Sequence, residues 1–363
     1  MEWGGIINHY RDYLPVTEKT PVITLLEGNT PLIRAKNLSE ELDSRIQIYL
    51  KYEGLNPTAS FKDRGMTVAV SRALEKGTEA VICASTGNTS ASAAAYAARA
   101  KISCIVLIPK DAIALGKLSQ ALVHGARVIA VDGNFDDALR LVREITSKYP
   151  ITLVNSLNPD RIEGQKTAAF EICDVLGVAP HYQAMPVGNA GNITAYWKGY
   201  KEYHTEGKIQ TLPKLLGFQA AKSAPIVNGH LIRNPETIAT AIRIGNPARW
   251  TEAVRAKEES RGLIEKIEDE EILKAYKLLA DREGIFVEPA SAISLAGIMK
   301  LHEKGYFESH LSNKNSKLIV VCILTGHGLK DPDLAISESS SPVVLPPDEK
   351  KIMKVINQRS FTL

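Results

Sequence analysis

The feature that most constrains the fold is a series of short, continuously apolar runs separated by segments of helix length. These runs are rich in β-branched residues and include "IQIYLKYE", "AVICAST", "ISCIVLIP" and "KLIVVCILTG". Strands that are covered by helices on both faces are apolar throughout, so the pattern predicts parallel strands. We therefore expect an α/β fold with two open twisted, mostly parallel sheets covered by helices.

The spacing of the runs also predicts the domain organisation, with a small domain inserted in a larger one. We expect a smaller α/β domain at residues 50–153, a larger one formed by 1–49 and 154–340, and a C-terminal tail at 341–363. A chain of 363 residues suits two domains. In open α/β sheets ligands bind beyond the carboxyl ends of the strands, so the residues after each run are expected to carry the chemistry.

Composition argues against several classes of function. The 44 basic and 41 acidic side chains are scattered and leave a net charge of +3, which does not suit a nucleic-acid-binding protein. No apolar run approaches the ~18 residues of a membrane span. The 4 cysteines stand singly inside apolar runs, without the paired spacings of metal sites or disulfide frameworks. We expect a cytoplasmic protein with buried thiols, no metal site, and no nucleic-acid or membrane partner.

The stretch "NPTASFKDRG" places Lys62 between a phenylalanine and an aspartate, just before a predicted helix. One interpretation makes Lys62 an ordinary surface charge. The other makes it a buried amine that takes part in chemistry. The residues that follow the predicted strands decide between the two.

Two strand ends carry small polar residues and glycines before a predicted helix. Ser85 begins "STGNTSAS", and Gly188 begins "GNAGN". A helix N-terminus of this kind offers backbone N–H groups to a carboxylate or phosphate, and glycines let the backbone approach it closely. Taken alone, each stretch is better explained as a capped or structural turn.

A third strand end, "TGHG", places the hydroxyl of Thr325 at the end of a central strand. Together the strand ends favour a phosphate-bearing ligand. Pyridoxal phosphate needs a lysine for covalent attachment, a backbone cradle for its phosphate and a partner for its ring nitrogen. Lys62, "GNAGN" and Thr325 supply one of each, so we predict this cofactor.

Several motifs together resemble a known family, the fold-type II pyridoxal phosphate enzymes, and within it the threonine synthase family. The resemblance runs from Leu25 to Pro332 and is carried by "EGNTPL", "NPTASFKDRG", "VNSLNPDRIEGQKT", "RIGNPARW", "FVEPASA" and "TGHGLKDP". The lysine motif departs from the pattern at Ala59, where relatives often carry glycine.

The resemblance implies a lyase of threonine biosynthesis that acts on a carbon–oxygen bond to phosphate. Its substrate would be O-phospho-L-homoserine, which reacts with water to give L-threonine and phosphate in the last step of the pathway. Lys62 would hold pyridoxal phosphate as a Schiff base and then act as general base. A homodimer is also implied. The plant members respond to S-adenosylmethionine through an N-terminal extension, and we expect no such regulation of this chain.

The resemblance also implies a set of site residues. Those expected to bind the cofactor are Phe61, Lys62, Asn88, Gly188, Asn189, Ala190, Gly191, Asn192 and Thr325. Those expected to bind the substrate carboxylate are Ser85, Thr86, Asn88 and Thr89. Those expected to bind the substrate phosphate are Asn155, Ser156, Arg161 and Lys166, with Arg161 as the bidentate donor.

Alternatives remain open from sequence alone. Arg161 could instead pair with Glu163, which would leave no second phosphate site and would favour a threonine or serine dehydratase. A second alternative is a sensor that binds pyridoxal phosphate without turnover. A nucleotide-binding protein is a weaker third, since neither a Walker pattern nor a dinucleotide fingerprint is present in the required place.

Overall fold

The computed structural model describes residues 2–112, 115–133, 135–311 and 316–357. It divides into two compact units, Met1–Asp331 and Pro332–Leu363. The second unit contains two short helices, Pro332–Ser337 and Glu349–Asn357, so part of the predicted tail is helical. Residues 358–363 of that tail lie outside the described residues.

The first unit contains two sheets. The strands are β1 Leu32–Arg34, β2 Ile46–Tyr52, β3 Ala80–Ala84, β4 Ser103–Pro109, β5 Arg127–Val131, β6 Ile151–Leu153, β7 Tyr182–Pro186, β8 Lys214–Ala220, β9 Leu263–Ile267 and β10 Leu318–Leu324. One sheet has the order β1-β2-β10-β7-β8-β9 and the other the order β5-β4-β3-β6. Only the pairing of β1 with β2 is antiparallel among the described strands. The predicted α/β class with two mostly parallel sheets is confirmed.

Helices cover both sheets and complete the cores. Those of the first unit are α1 Ile6–His9, α2 Lys36–Leu42, α3 Lys62–Glu75, α4 Asn88–Ala100, α5 Leu115–Val123, α6 Phe135–Lys148, α7 Pro159–Leu176, α8 Gly191–Thr205, α9 Pro225–Asn228, α10 Trp250–Glu259, α11 Asp269–Glu283 and α12 Pro289–Glu303. The central strands are buried on both faces, as β10 illustrates with six of its seven residues buried. This burial explains the continuous apolar runs of the sequence.

The four-stranded sheet is formed within residues 80–153, inside the range predicted for the smaller domain. The predicted boundary at residue 50 falls within β2, which pairs with β1 and β10 in the six-stranded sheet. The apolar run of β2 belongs to the larger sheet, because Ile46, Ile48 and Leu50 are buried in the same core as β7, β8 and β10. Periodicity alone does not say which sheet a strand joins.

Helices α3 and α7 cross in close backbone contact. A Cβ added at Gly65 would lie 2.7 Å from the Arg161 carbonyl oxygen, and one added at Gly164 would overlap the Arg64 carbonyl group. Glycine at both positions therefore allows the two helices to approach this closely. The crossing brings the start of α3, with Lys62, close to the start of α7, with Arg161.

A buried ionic cluster ties the same two helices to β2. The Arg64 guanidinium contacts Glu53 at 2.6 Å and Glu171 at 2.7 Å, and the Lys51 ammonium contacts Glu171 at 2.7 Å. Two cations face two carboxylates, so the cluster carries no net charge. Buried charges are tolerated when they are paired in this manner.

The four cysteines are buried and unpaired, as the sequence predicts. Within the described residues, none of the helices combines the length and the apolar character that crossing a membrane requires.

Candidate active site

The lysine motif lies against the end of strand β10. The Phe61 N–H donates to the Thr325 carbonyl oxygen at 2.9 Å, and the His327 N–H donates to the Ala59 carbonyl oxygen at 3.0 Å. Lys62 is the first residue of α3, directly after this contact. Two of the predicted cofactor elements, Lys62 and Thr325, are thus brought together by backbone pairing.

The turn that precedes Lys62 has an unusual conformation. Ala59 has a φ of 65°, in the left-handed region that favours glycine. A glycine would adopt this conformation without strain. The methyl group of Ala59 is accommodated here, in a turn held by the Ala59 N–H to Asn56 carbonyl bond of 2.8 Å.

The Lys62 amine lies in a low-dielectric environment. Its Nζ is 3.8 Å from the centroid of the Phe61 ring. Burial lowers the pKa of Lys62 to about 7, with the Arg161 guanidinium contributing in the same direction, while the Glu288 carboxylate opposes the shift. A neutral amine near physiological pH can act as a nucleophile or a general base. The surface-charge interpretation of Lys62 does not fit this environment.

The glycine-rich loop at 188–192 leads directly into helix α8, which begins at Gly191. Ala190 has a φ of 64°, and this turns the backbone so that the N–H groups of the first helical turn are exposed to a ligand. Both amide atoms of Asn192 are buried and have no hydrogen-bond partner in the described structure. A buried amide without a partner is unfavourable unless a ligand satisfies it.

One cavity joins the lysine, the glycine-rich loop and the segment after β6. It is lined by Phe61, Lys62, Ser156, Arg161, Ile162, Gln165, Pro186, Asn189, Ala190, Gly191 and Asn192. Of the three strand ends predicted to converge, the glycine-rich loop lines this cavity beside Lys62, whereas Thr325 and Ser85–Thr89 are not among its lining residues. Gln165 is a lining residue that the sequence analysis did not single out.

Arg161 is buried in this cavity without an anionic partner among the described residues. Its side chain is 1% exposed, its Nη1 donates to the Val154 carbonyl oxygen at 3.1 Å, and its Nε has no hydrogen-bond partner in the described structure. Burial lowers the pKa of Arg161 to about 10, and the neighbouring Arg249 guanidinium contributes in the same direction. A buried guanidinium of this kind provides a site for an anion.

The alternative pairing of Arg161 with Glu163 is not formed. The Glu163 carboxylate instead contacts the ammonium groups of Lys166, at 2.7 Å, and of Lys198. Lys166 also contacts Glu202 at 2.7 Å. The structure thus places Lys166 in a salt-bridge network away from the cavity lining, although the sequence analysis expected it to bind the substrate phosphate.

The segment Ser85–Thr89, which the sequence predicts to bind the substrate carboxylate, leads into the first turn of helix α4. The Ser85 hydroxyl accepts a hydrogen bond from the Gly87 N–H at 3.2 Å, and α4 begins at Asn88. Thr86 lies between them, and Thr89 is buried in the first turn. The first backbone N–H groups of the helix have no intrahelical partner and can bind an anion.

Two residues of this region escaped the sequence analysis. Arg249, in "RIGNPARW", links two cavity-lining segments: its Nε donates to the Ser156 carbonyl oxygen at 3.1 Å, and its N–H donates to the Asn189 carbonyl oxygen at 3.3 Å. Glu288, in "FVEPASA", accepts hydrogen bonds from Asn88 and Thr325. Both residues lie in motifs that carry the family resemblance, but nothing in the sequence predicts what their side chains contact.

A family model described as "Pyridoxal-phosphate dependent enzyme" matches residues 23–326. The threonine synthase of Halalkalibacterium halodurans is 59% identical over 97% of each chain. The threonine synthase of Methanocaldococcus jannaschii is 52% identical over 96% of this chain and 86% of its own.

The chain belongs to the threonine synthase family of pyridoxal-phosphate dependent enzymes.

Solved structures show that this family member shares its fold with other pyridoxal phosphate enzymes. The processed form of threonine deaminase isoform 2 from Solanum lycopersicum has a TM-score of 0.71 and 22% identity, covering 98% of this chain and 90% of its own. Maize serine racemase has a TM-score of 0.72 and 19% identity, covering 98% of this chain and 100% of its own. At these identities the likeness concerns the fold.

Pyridoxal phosphate is the cofactor of the family, and the residues present fit it. Asn192 leaves a buried amide nitrogen without a protein partner at the start of α8, where a phosphate oxygen would accept its hydrogen bond. A Cβ at Gly188 would lie 3.2 Å from Ile242, so the loop fits most easily with glycine there. Lys62 lines the same cavity and supplies the amine for covalent attachment.

Proposed function

We propose that the protein converts O-phospho-L-homoserine and water into L-threonine and phosphate. The observation that carries the proposal is the buried, unpaired guanidinium of Arg161 in the cavity that also holds Lys62 and the glycine-rich loop. The loop accounts for the cofactor phosphate, so Arg161 is available for a second anion. A substrate with a phosphate leaving group requires such a second anion site, whereas a dehydratase substrate does not.

Bound pyridoxal phosphate supplies the electron sink that stabilises negative charge on the substrate carbons. The loop 188–192 would hold its phosphate, Thr325 would face its ring nitrogen and Asn88 its ring oxygen. Phe61 would form the wall of the pocket beside Lys62. The loop and Phe61 line the cavity, Thr325 pairs with the backbone of Phe61, and Asn88 shares the acceptor Glu288 with Thr325.

Lys62 would move the protons of the reaction. Its amine, once free of the cofactor, would take a proton from the α carbon, release it, and in its neutral form again take one from the β carbon of the substrate. The lowered pKa of Lys62, about 7, leaves much of the amine neutral at physiological pH and able to accept these protons. Lys62 is also placed to return a proton at the α carbon after water has added at the β carbon.

Arg161 and Ser156 would hold the departing phosphate. The guanidinium provides planar, charge-assisted donors for phosphate oxygens, and its place inside a water-poor cavity strengthens the interaction. When the γ-phosphate leaves the substrate, the phosphate ion would keep the contacts with Arg161 that the substrate phosphate made before. The carbon–oxygen bond breaks, its electron pair leaves with the phosphate, and Arg161 neutralises part of that charge.

Ser85, Thr86, Asn88 and Thr89 would hold the substrate α-carboxylate at the start of α4. Free N–H groups and the positive end of the helix dipole favour an anion there. This arrangement would place the carboxylate and the phosphate of one substrate at two separate anion sites. Substrate length would then be set by the spacing between the two sites.

The test is to measure phosphate and threonine produced from O-phospho-L-homoserine by the wild type, Lys62→Ala and Arg161→Leu. We expect equal amounts of both products from the wild type, none from Lys62→Ala, and a large rise in KM with Arg161→Leu. Arg140→Leu is the matched control, because Arg140 is an exposed arginine on α6 whose side chain is 59% accessible. Its kinetics should equal those of the wild type.

Other outcomes would point to other activities. Ammonia and a ketoacid from threonine or serine, with no phosphate released from O-phospho-L-homoserine, would identify a dehydratase. Cofactor absorbance without turnover of any of these substrates would identify a sensor. Either result would contradict the proposal.

We also infer a homodimer located in the cytoplasm. Leu26 and Leu55 are 58% and 52% exposed, and the segments that carry them are joined by the Gly28 N–H to Asn56 side-chain bond. Exposed leucines on adjoining segments suit coverage by a second copy. Four unpaired thiols suit a reducing compartment. Light scattering at micromolar concentration should give twice the chain mass, and a monomeric mass would contradict the dimer.

A further inference from the structure

The side chain of Arg249 binds the backbone of the segment between β6 and α7. Its Nε donates to the Ser156 carbonyl oxygen at 3.1 Å, and its Nη2 donates to the Leu157 carbonyl oxygen at 3.2 Å. Its Nη1 donates to the Glu252 carboxylate at 3.0 Å, within the first turn of α10. Each nitrogen of the planar guanidinium therefore has its own protein acceptor.

The backbone around Arg249 also holds the glycine-rich loop. The Arg249 N–H donates to the Asn189 carbonyl oxygen at 3.3 Å, and the Ala248 N–H donates to Asn189 Oδ1 at 3.4 Å. Ser156 and Asn189 both line the cavity that contains Lys62. Arg249, at the start of α10, therefore connects two lining segments that are distant in sequence.

The segment held by Arg249 is also in contact with Arg161. The Arg161 Nη1 donates to the Val154 carbonyl oxygen at 3.1 Å, and Arg161 itself lies in the first turn of α7. Two arginines, one from each side, thus bind carbonyl groups of residues 154–157. The charge of Arg249 is paired with Glu252, whereas Arg161 has no anionic partner among the described residues, so Arg161 is the cation left for a ligand.

We propose that Arg249 is a positioning residue that holds Ser156 and Arg161 at a fixed separation from the glycine-rich loop. The inference rests on the proposed function, in which Ser156 and Arg161 bind the substrate phosphate and the loop binds the cofactor phosphate. Arg249 acts through the backbone of the segment and touches neither phosphate. The separation of the two phosphate groups, which the length of the substrate must match, is then maintained by a side chain outside the cavity lining.

Two substitutions separate the shape of the Arg249 side chain from its charge. Lysine keeps the positive charge, but its single nitrogen at the end of a flexible stem cannot serve three acceptors arranged around a planar group. Methionine removes both the charge and the donors. A positioning role predicts the same effect for both substitutions, whereas a purely electrostatic role predicts that lysine is tolerated.

The test titrates the holoenzyme with inorganic phosphate and measures the Kd by isothermal titration calorimetry. Because pyridoxal phosphate occupies the glycine-rich loop, the added phosphate reports on the second anion site. We expect the Kd to rise about tenfold or more in both Arg249→Lys and Arg249→Met, the effect of losing one charge-assisted hydrogen bond. A residue that served stability alone would lower the unfolding temperature without changing this Kd.

Two controls accompany the titration. Arg255→Met is the matched variant, because Arg255 is an exposed arginine on the same helix α10, and its Kd should equal that of the wild type. The absorbance of the cofactor should be unchanged in the Arg249 variants. Their side-chain substitutions leave the backbone bond to Asn189 in place, and the turn before Lys62 is held by β10.

A wild-type Kd in both Arg249 variants would overturn the proposal, and so would a wild-type holoenzyme that binds no phosphate. A raised Kd in Arg249→Met with a wild-type Kd in Arg249→Lys would also overturn it, since charge alone would then account for the effect. If Arg249→Met does not fold, Arg249→Lys decides by the same criterion. Failure of the proposed function looks different: the wild type would bind phosphate but release none from O-phospho-L-homoserine.

Discussion

The side-chain amide of Asn155 closes two hydrogen bonds onto the backbone of Ala84. Its Oδ1 accepts from the Ala84 N–H at 2.9 Å and its Nδ2 donates to the Ala84 carbonyl oxygen at 3.0 Å. Asn155 follows β6, and Ala84 is the last residue of the neighbouring strand β3. The amide thus extends the sheet beyond its last strand pair and fixes the start of the segment Ser85–Thr89. Its donors and acceptors face the backbone, although the sequence analysis expected them to face the substrate.

Replacing Asn155 by alanine should therefore destabilise the protein. The change leaves the N–H and carbonyl of Ala84 buried without partners, and each such group costs about 1–3 kcal/mol. Urea unfolding would measure the loss, with Asn234→Ala as the control because Asn234 is exposed. Unchanged stability together with a raised KM would show instead that Asn155 contacts the substrate.

The Arg161 site predicts a response of the holoenzyme to inorganic phosphate. Phosphate that binds the folded state should raise the unfolding temperature of the wild type, by mass action, more than chloride at equal ionic strength. Arg161→Leu should lose this response and should be no less stable without phosphate, because a buried unpaired charge is removed. Differential scanning calorimetry would measure both effects. A full phosphate response in Arg161→Leu would place the anion elsewhere.

The lowered pKa of Lys62 predicts how the cofactor-free protein takes up pyridoxal phosphate. Only the neutral amine attacks the aldehyde, so the association rate should rise between about pH 6 and pH 8 and level off above, around a midpoint of about 7. Removing the nearby cation in Arg161→Leu should move the midpoint to higher pH. Stopped-flow absorbance would follow the reaction. A rate that keeps rising to the ordinary pKa of lysine would contradict this prediction.

Acid should weaken the buried ionic cluster in a defined window. Burial alone would raise the pKa of Glu171, but Arg64 and Lys51 outweigh it and lower the pKa to about 2. A carboxylate with a lowered folded-state pKa stabilises the protein above its unfolded pKa of about 4.3, and that contribution is lost as pH falls toward 2. Glu171→Gln should be less stable at neutral pH by about 3–5 kcal/mol and should show a shallower fall in acid.

Chemical denaturation at pH values from neutral to acid would give both quantities. The exposed variant Glu270→Gln serves as the control, and its stability should follow the wild type at every pH. Equal acid slopes for the wild type and Glu171→Gln would show that other carboxylates govern the acid transition.

The salt bridges of Lys166 predict that its replacement lowers the stability of the protein but leaves catalysis unchanged. Lys166→Met removes a cation that contacts Glu163 and Glu202, so we expect lower stability, by about 1–3 kcal/mol. The KM for O-phospho-L-homoserine should stay near the wild-type value, because the ammonium is engaged in this network. A large rise in KM without loss of stability would return Lys166 to the phosphate site.

The sequence predicts the parts of the site that are formed by consecutive residues. Lys62 and the loop 188–192 each lie in a short motif at a strand end, where an α/β fold binds its ligands, and Lys62 and residues 189–192 line one cavity in the structure. The sequence does not predict in which direction the other side chains point. Asn155 and Lys166 lie in the expected segment, but partners distant in sequence, Ala84 and Glu202, determine where they point.

The contacts of Glu288 could not be predicted from the sequence either. Its partners Asn88 and Thr325 lie 200 and 37 residues away along the chain. Nothing in the local sequence around "FVEPASA" indicates that the carboxylate faces two other strand ends. Three segments meet there only after both sheets have formed, so the contact becomes visible in the structure alone.

The glycine crossing of α3 and α7 limits how this scaffold can change its substrate. Lys62 and Arg161 lie in the first turns of two helices whose backbones touch at Gly65 and Gly164. A longer or shorter amino acid would need a different separation between the proton-transfer group and the phosphate group. Any side chain at either glycine would push the helices apart and also disturb the ionic cluster of Arg64. Evolution toward new substrates on this chain would therefore proceed more easily at the α4 loop, where the carboxylate end of the substrate is proposed to bind.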